Sequence, residues 1–418
     1  MKKKVDLAAV LLALSLLLTA CAGGPAADTP PATGSPETQT PEPTPSEEQE
    51  KTDEELAAFY SSPENLYLLD LTLPLLEEGY VDADTAAFAR ASALSLTRYA
   101  RNAGKAAPDD LVGDGEELVE LKNGWLDAIG ATEDYTPFAP LHFERSTIID
   151  ADVYPFMVRG SSANWYFSLE DVREQGYVDF FSSYLRFAPL AERDFADARE
   201  YLKDHLPEDN PPVKICVGFH QGNVTTSWFS AEFQYADNDH NRIQLYHDWD
   251  SAAYSLLHEY VHYLRREESL PSAFCTEAIT EEISTFECEN RLQMLCSFDR
   301  ENKEAFLSYG VWDEENDCLN YRNYEIMAAA SYYMGYSGTY ISIARYAVTH
   351  PEKMSWNYLS YEEGACLARY ITELYGKDAL LECSTNADLD ELIGKPVDEF
   401  YREFGEWLLD RYAAFSRS

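Results

Sequence analysis

The chain has 418 residues, 45% of them hydrophobic and 13% aromatic, and a formal net charge of −42 from 74 acidic against 32 basic side chains. That length supports two or three structural units with a buried core. The acidity excludes nucleic acid as a partner, because such a surface repels a polyanion.

At the N-terminus, Lys2, Lys3 and Lys4 precede an apolar run from Leu7 to Leu18 and then Leu18-Thr19-Ala20-Cys21. The run is shorter than the roughly 20 residues that span a bilayer, so residues 1–20 are predicted to be a signal peptide. Small residues directly before Cys21 resemble the bacterial lipobox, which implies cleavage and a lipid on Cys21. The alternative is an ordinary secretory signal with an incidental cysteine. Either reading places the rest outside the cytoplasm, and the lipobox implies the outer face of a bacterial cell membrane. Residues 21–53 are Gly, Pro, Thr, Ser and Glu with few apolar side chains, too few to offset the entropy of ordering, and are expected to form a disordered stalk.

Residues 54–135 carry apolar side chains at helical spacing and are expected to form a helical N-terminal region. Aromatic and β-branched residues rise between Thr136 and Tyr184, which suggests strands. ERDFADAREYLKDHL reads as an amphipathic helix ending at Pro207, and VKICVGF, VTTSWFSAEFQY and NRIQLYHD read as three strands. Asp237-Asn238-Asp239 is expected to be a turn; the full calcium-loop pattern with its terminal Glu is missing. From Ser251 onward the chain reads as helical, interrupted at Pro271, between Gly335 and Gly338, and at Pro351. A sheet followed by helices implies an α+β fold, with boundaries expected at 136–298 and 299–418.

Within that helical part, SAAYSLLHEYVHYLRR contains His258-Glu259-Tyr260-Val261-His262, and Leu257, Val261 and Leu264 fall at helical spacing around it. Two histidines one turn apart project from one face, ~6 Å apart along the axis, so both imidazoles can reach one metal ion. Glu259 then lies beside the ion, where its carboxylate can take a proton from metal-bound water without ligating. The plain alternative is a pair of hydrogen-bonded core histidines on an ordinary amphipathic helix.

A second helix is expected after Pro271, over SAFCTEAITEEISTFECENRL, with Ser272 as its cap. A catalytic zinc takes three protein ligands and keeps an open position, and two His plus one Glu is a known set. Glu277 is the candidate third ligand. Glu281, one turn further on the same face, can accept the Nδ1 proton of a ligating histidine. Glu282 and Glu287 are expected to face solvent, the usual fate of helical Glu, which is also the alternative for Glu277 and Glu281.

HEYVHYL followed by Thr276-Glu277-Ala278-Ile279-Thr280-Glu281 resembles the gluzincin zinc metallopeptidases. Thermolysin-like members carry a similar Asn-Glu-Ala-Ile-Ser-Asp, and bacterial collagenases a similar HEYxHYL. The resemblance implies a zincin (thermolysin-like) catalytic domain, with a small twisted sheet over the HEYVH helix and a helical C-terminal lobe. It further implies Zn2+ held by His258, His262 and Glu277, Glu259 as catalytic base, Glu281 as support for a histidine, and a peptide or protein as substrate. Tyr361-Glu362-Glu363-Gly364 is similar to the Tyr-Glu-Lys-Gly segment of the zinc aminopeptidases, whose Tyr donates to the oxyanion. That implies the same role for Tyr361, with Tyr332, Tyr333 and Tyr336 as alternatives. Glu232 stands near the offset at which aminopeptidases bind the substrate amine, but their Gly-x-Met-Glu-Asn motif is absent, which favours an endopeptidase and a solvent-facing Glu232. The resemblance extends over about Ala191 to Ala413.

The expected activity is therefore hydrolysis of peptide bonds at the outer cell surface by a zinc-activated water. The rival is a catalytically silent surface lipoprotein of the same fold that binds a ligand, against which the base Glu259 argues. Of the seven cysteines after Cys21, no two form Cys-x-x-Cys, so neither a thiolate zinc site nor a redox dithiol is indicated.

Overall fold

A capping box starts the first described helix: the Thr52 amide donates to the Glu55 carboxylate at 2.8 Å, and the Glu55 amide donates to the Thr52 hydroxyl at 3.2 Å. The protein is seen in a computed structural model that describes residues 51–70, 83–108, 115–136, 143–146, 148, 151, 153–206, 211–219, 229–231, 242–245, 248–265, 272, 274–331, 333–334, 340–359, 361–386 and 392–416. The expected signal peptide, Cys21, the stalk as far as residue 50, Glu232, the Asp237–Asp239 turn and Pro271 lie outside the described residues. Among those described, no helix is long and apolar enough to cross a membrane.

The described chain divides into two units. One runs from the first described residues to Arg159 and adds Tyr166–Leu185. It opens with α1 (Asp53–Tyr60), a 3-10 segment (Pro63–Asp70), α2 (Ala83–Asn102) and α3 (Gly115–Ile129). Leu56, Tyr60, Leu96 and Trp125 are buried where these helices meet, with the Tyr60 and Trp125 rings edge to face at 5.7 Å. Lys122 is buried among them, and its ammonium donates to Asp70 at 2.5 Å and to the Tyr135 hydroxyl at 3.0 Å. A charge taken out of water needs such partners.

The hairpin of β1 (Phe143–Arg145) and β2 (Phe156–Arg159) is antiparallel, pairing Phe143 with Val158 and Arg145 with Phe156. After β3 (Ala163–Phe167) come α4 (Leu169–Gln175) and α5 (Tyr177–Leu202), whose first residues belong to this unit. Phe143, Phe156, Phe167 and Phe181 form an edge-to-face cluster that seals the core here. The sequence suggests strands up to Tyr184 and a helix only from Glu192. Instead α5 begins at Tyr177 and continues through Pro189, with Phe180, Phe181 and Phe187 buried along it. The burial of that aromatic face overrides both the β-propensity of its residues and the amide that proline lacks.

The other unit contains Gly160–Trp165 and Arg186–Ser418. Its strands β4 (Val213–Val217), β5 (Phe229–Ala231) and β6 (Arg242–Leu245) form a mixed sheet, with β4 parallel to β6 and β5 antiparallel to it. The register sets Cys216 opposite Gln244 and Phe229 opposite Leu245. Val213, Ile215, Ile243 and Leu245 are fully buried, as expected for a parallel pair covered on its faces. Next comes α6 (Trp249–Arg265), which packs against β5, β6 and the later part of α5, where Phe195 stacks on Tyr260 at 3.9 Å.

Beyond α6 the chain forms a continuous helical segment: a π-helical turn (Phe274–Ala278), α7 (Ile279–Glu282) and a second π-helical turn (Ile283–Glu287). There follow a 3-10 turn (Arg291–Leu295), α8 (Ser297–Glu301), α9 (Lys303–Tyr309), the hairpin β7 (Trp312–Asp313) and β8 (Cys318–Leu319), and α10 (Tyr321–Ser331). A second small hairpin, β9 (Tyr333–Met334) and β10 (Tyr340–Ile341), precedes α11 (Ile343–Thr349), α12 (Tyr361–Tyr375), α13 (Lys377–Asn386) and α14 (Val397–Phe415). The architecture is α+β. Cys288 stands just past the second π turn and Cys296 just past the 3-10 turn, and both are buried.

Candidate metal centre

His258 and His262 lie one turn apart on α6, both buried, with ring centroids 4.7 Å apart at an interplanar angle of 79°. Their Nε2 atoms are 3.0 Å apart, and Oε2 of Glu277 lies 3.3 Å from the first and 3.5 Å from the second. Among the described residues this is the one group of three potential metal-ligating side chains whose ligand atoms converge. A tetrahedral ion with bonds of ~2.0–2.1 Å separates its ligand atoms by ~3.3 Å, so the three atoms stand at a spacing at which they can share one small cation.

Glu277 reaches this position from the first π turn rather than from the regular helix expected at Ser272. Ser272 nevertheless acts at that start, accepting from the Cys275 amide at 3.3 Å. The i→i+5 bonding of a π turn widens the coil by one residue, a distortion found repeatedly at functional sites. Phe274, Cys275, Ala278, Ile279 and Ile283 are fully buried beneath it. α12 packs directly on this segment at Gly364, where a Cβ would fall 2.5 Å from Cβ of Ala278 and 3.1 Å from the Leu359 carbonyl carbon. Only a residue without a side chain allows that approach.

Each imidazole has a partner at Nδ1. For His258 it is Oε2 of Glu281 at 2.6 Å, and the other Glu281 oxygen accepts from the Thr285 hydroxyl at 3.0 Å. For His262 it is Oγ1 of Thr280 at 3.3 Å. With the protons at Nδ1, both Nε2 lone pairs point to a common space beside a carboxylate, an arrangement a cation satisfies. Without a metal, protons take that role. Burial disfavours a charged His258, but its hydrogen bonds to Glu277 and Glu281 outweigh this and hold its pKa well above the ordinary value. Burial likewise opposes ionisation of Glu277, yet the two histidines hold its carboxyl below the usual range.

Glu259 is buried on α6 between the two histidines in sequence. Tyr361 opens α12 with its ring 6.3 Å from that of His258 and inclined 30° to it. Its φ of +32° is costly for a residue with a large side chain, a strain that accumulates at functional sites. Of the alternative tyrosines, Tyr332 and Tyr336 lie outside the described residues, and Tyr333 falls in β9.

The expectation that Glu282 faces solvent is overturned. Glu282 is fully buried, because α12 covers this face of α7 and brings Arg369 to 3.6 Å from its carboxylate. Arg369 also pairs with Glu287, which is only part-exposed, and with Glu373 at 3.3 Å. Burial, and then the charge of Glu287, push the Glu282 carboxyl up to about 8.

Motif reading did not single out Thr280, Thr285, Arg265, Glu325 or Gly364. Thr280 falls three residues after Glu277 and Arg265 three after His262, so helical spacing alone was a signal for both. Glu325 on α10 carried none. It is buried, and burial followed by the charges of Glu362, Glu281 and Glu363 pushes its carboxyl well above the ordinary value. In comparisons with known proteins, no family model matches the chain, and neither a curated protein nor a solved structure matches it.

Proposed function

We propose that this protein is a zinc-dependent peptidase of the gluzincin kind, with a zincin fold, exported and held at the outer face of a bacterial membrane by a lipid on Cys21. The observation that carries the reading is the convergence of His258 Nε2, His262 Nε2 and Glu277 Oε2 at 3.0–3.5 Å from one another. A mixed sheet leading into α6, followed by helices, supports the fold assignment.

Zinc held by His258, His262 and Glu277 would supply a Lewis acid that polarises the scissile carbonyl and makes a bound water acidic. Glu259 takes the proton from the attacking water and returns it to the leaving amine. Glu281 and Thr280 keep the two imidazoles oriented. Tyr361 donates its phenolic proton in a hydrogen bond to the developing oxyanion, adding no net charge to the site. The absence of an amine-anchoring motif favours internal cleavage.

The test is metal analysis of the purified protein together with cleavage of a mixed peptide pool. Stoichiometric zinc, chelator-sensitive cleavage, and a Glu259→Gln variant that keeps zinc but loses turnover are expected. A protein without zinc, or unchanged cleavage by Glu259→Gln, overturns the reading.

A further inference from the structure

Arg265 closes α6 one turn beyond His262, and its guanidinium bonds the segment that carries Glu277 at three points. Nη2 donates to the Cys275 carbonyl at 2.6 Å, while Nη1 donates to the Thr276 carbonyl at 3.1 Å and to the Thr280 hydroxyl oxygen at 2.6 Å. Cys275 and Thr276 immediately precede Glu277 in the first π turn, and Thr280 is the residue whose hydroxyl faces Nδ1 of His262 at 3.3 Å.

We infer that Arg265 is a positioning residue of the centre, joining the helix that bears both imidazoles to the turn that bears Glu277 and, through Thr280, orienting His262. Guanidinium nitrogens only donate, so the Thr280 oxygen must accept from Arg265, which occupies one of its two lone pairs. Its remaining lone pair suits an Nδ1–H of His262, the tautomer that leaves Nε2 available. The two imidazoles are thus held differently. A carboxylate faces His258, and a hydroxyl tied to a guanidinium faces His262. The planar fork divides these three bonds between two nitrogens held in fixed directions, whereas an ammonium offers its donors from a single rotating nitrogen.

The inference about His262 rests on the metal reading, whereas the clamp on the Glu277 segment does not, and two measurements separate them. Amide hydrogen exchange on metal-free protein follows peptides covering residues 274–287. Arg265→Met is expected to exchange there about tenfold faster, the effect of losing charge-assisted hydrogen bonds, with the middle of α6 unchanged. Unchanged exchange overturns the clamp. Zinc affinity, measured by competition with a chelator, is expected to fall about 10- to 100-fold in both Arg265→Met and Thr280→Val, with a shifted absorption spectrum of the cobalt-substituted proteins. Wild-type affinity and spectrum in both variants overturn the role towards His262. If Arg265→Met does not fold, Arg265→Lys takes its place, with the same results expected and the same results decisive. A wild-type chain that binds no zinc overturns the metal reading and the role towards His262, while the exchange experiment still decides the clamp.

Discussion

Nδ1 of His258 and Oε2 of Glu281 lie 2.6 Å apart, and the second Glu281 oxygen is held by the Thr285 hydroxyl at 3.0 Å. The carboxylate therefore cannot turn away without breaking a second bond, and the ring it faces is fixed with Nε2 towards His262 and Glu277. Glu281→Gln replaces a charged acceptor by a neutral one and is expected to weaken zinc binding about tenfold. Calorimetry or chelator competition reads this directly; unaltered affinity would remove Glu281 from the centre.

Zinc binding should weaken as the pH falls. In the metal-free protein the carboxylates hold the His258 pKa well above its ordinary value, so at neutral pH a proton occupies the place of the cation and must leave on binding. Affinity is therefore expected to rise with pH through neutrality and level off only above the raised His258 pKa. Titrations in buffers of different ionisation enthalpy count the released protons, and a pH-independent affinity would contradict the assignment.

Tyr361→Phe keeps the ring that lies 6.3 Å from His258 and removes only the hydroxyl. A drop in kcat of about 10²–10³ with zinc affinity unchanged is expected if the phenol stabilises the oxyanion. An equal kcat for the variant would assign Tyr361 to packing alone.

Gly364→Ala forces a methyl group to 2.5 Å from Cβ of Ala278. Overpacking of this kind costs about 1–3 kcal/mol, and here it also displaces the turn that carries Glu277. Thermal unfolding of the single variant and of the double variant with Ala278→Gly, which vacates the contact, tests this. The double variant is expected to recover part of the lost stability, and no recovery would mean that the strain arises at the Leu359 backbone instead.

Glu282 gives a pH-dependent stability of definite sign. Its folded pKa, about 8, lies above that of an unfolded Glu, so the folded state holds the extra proton between them. Stability is full below the unfolded pKa of ~4.3 and is lost as the pH rises towards 8. Glu282→Gln, which cannot ionise, should melt progressively higher than wild type as the pH is raised from 5 to 8.5. Parallel melting curves across that range would show that Arg369 compensates the charge fully.

The centre was legible in the sequence wherever its parts follow from helical spacing. His258 and His262 fall four residues apart on one helix, and Glu277 and Glu281 are again four apart, so each pair shares a face whatever surrounds it. Three strands and an α+β organisation could be read for the same reason, from period-2 alternation followed by helical periodicity. What could not be read was the start of α5, where buried phenylalanines with β-propensity are drawn into a helix by packing.

The sequence by itself determined which side chains lie together along one helix face, because residues four apart stay about one turn apart in the α-helix of the histidines and, within the wider coil of the π turn, in the segment of Glu277 and Glu281. Only the tertiary structure decided which faces meet: that Glu282 is covered by Arg369, that Gly364 lets α12 rest on Ala278, and that Arg265 reaches the carbonyls before Glu277. Those contacts join residues distant in the chain or separated by a change of direction, and they depend on the volume and polarity of both partners, which no local spacing encodes.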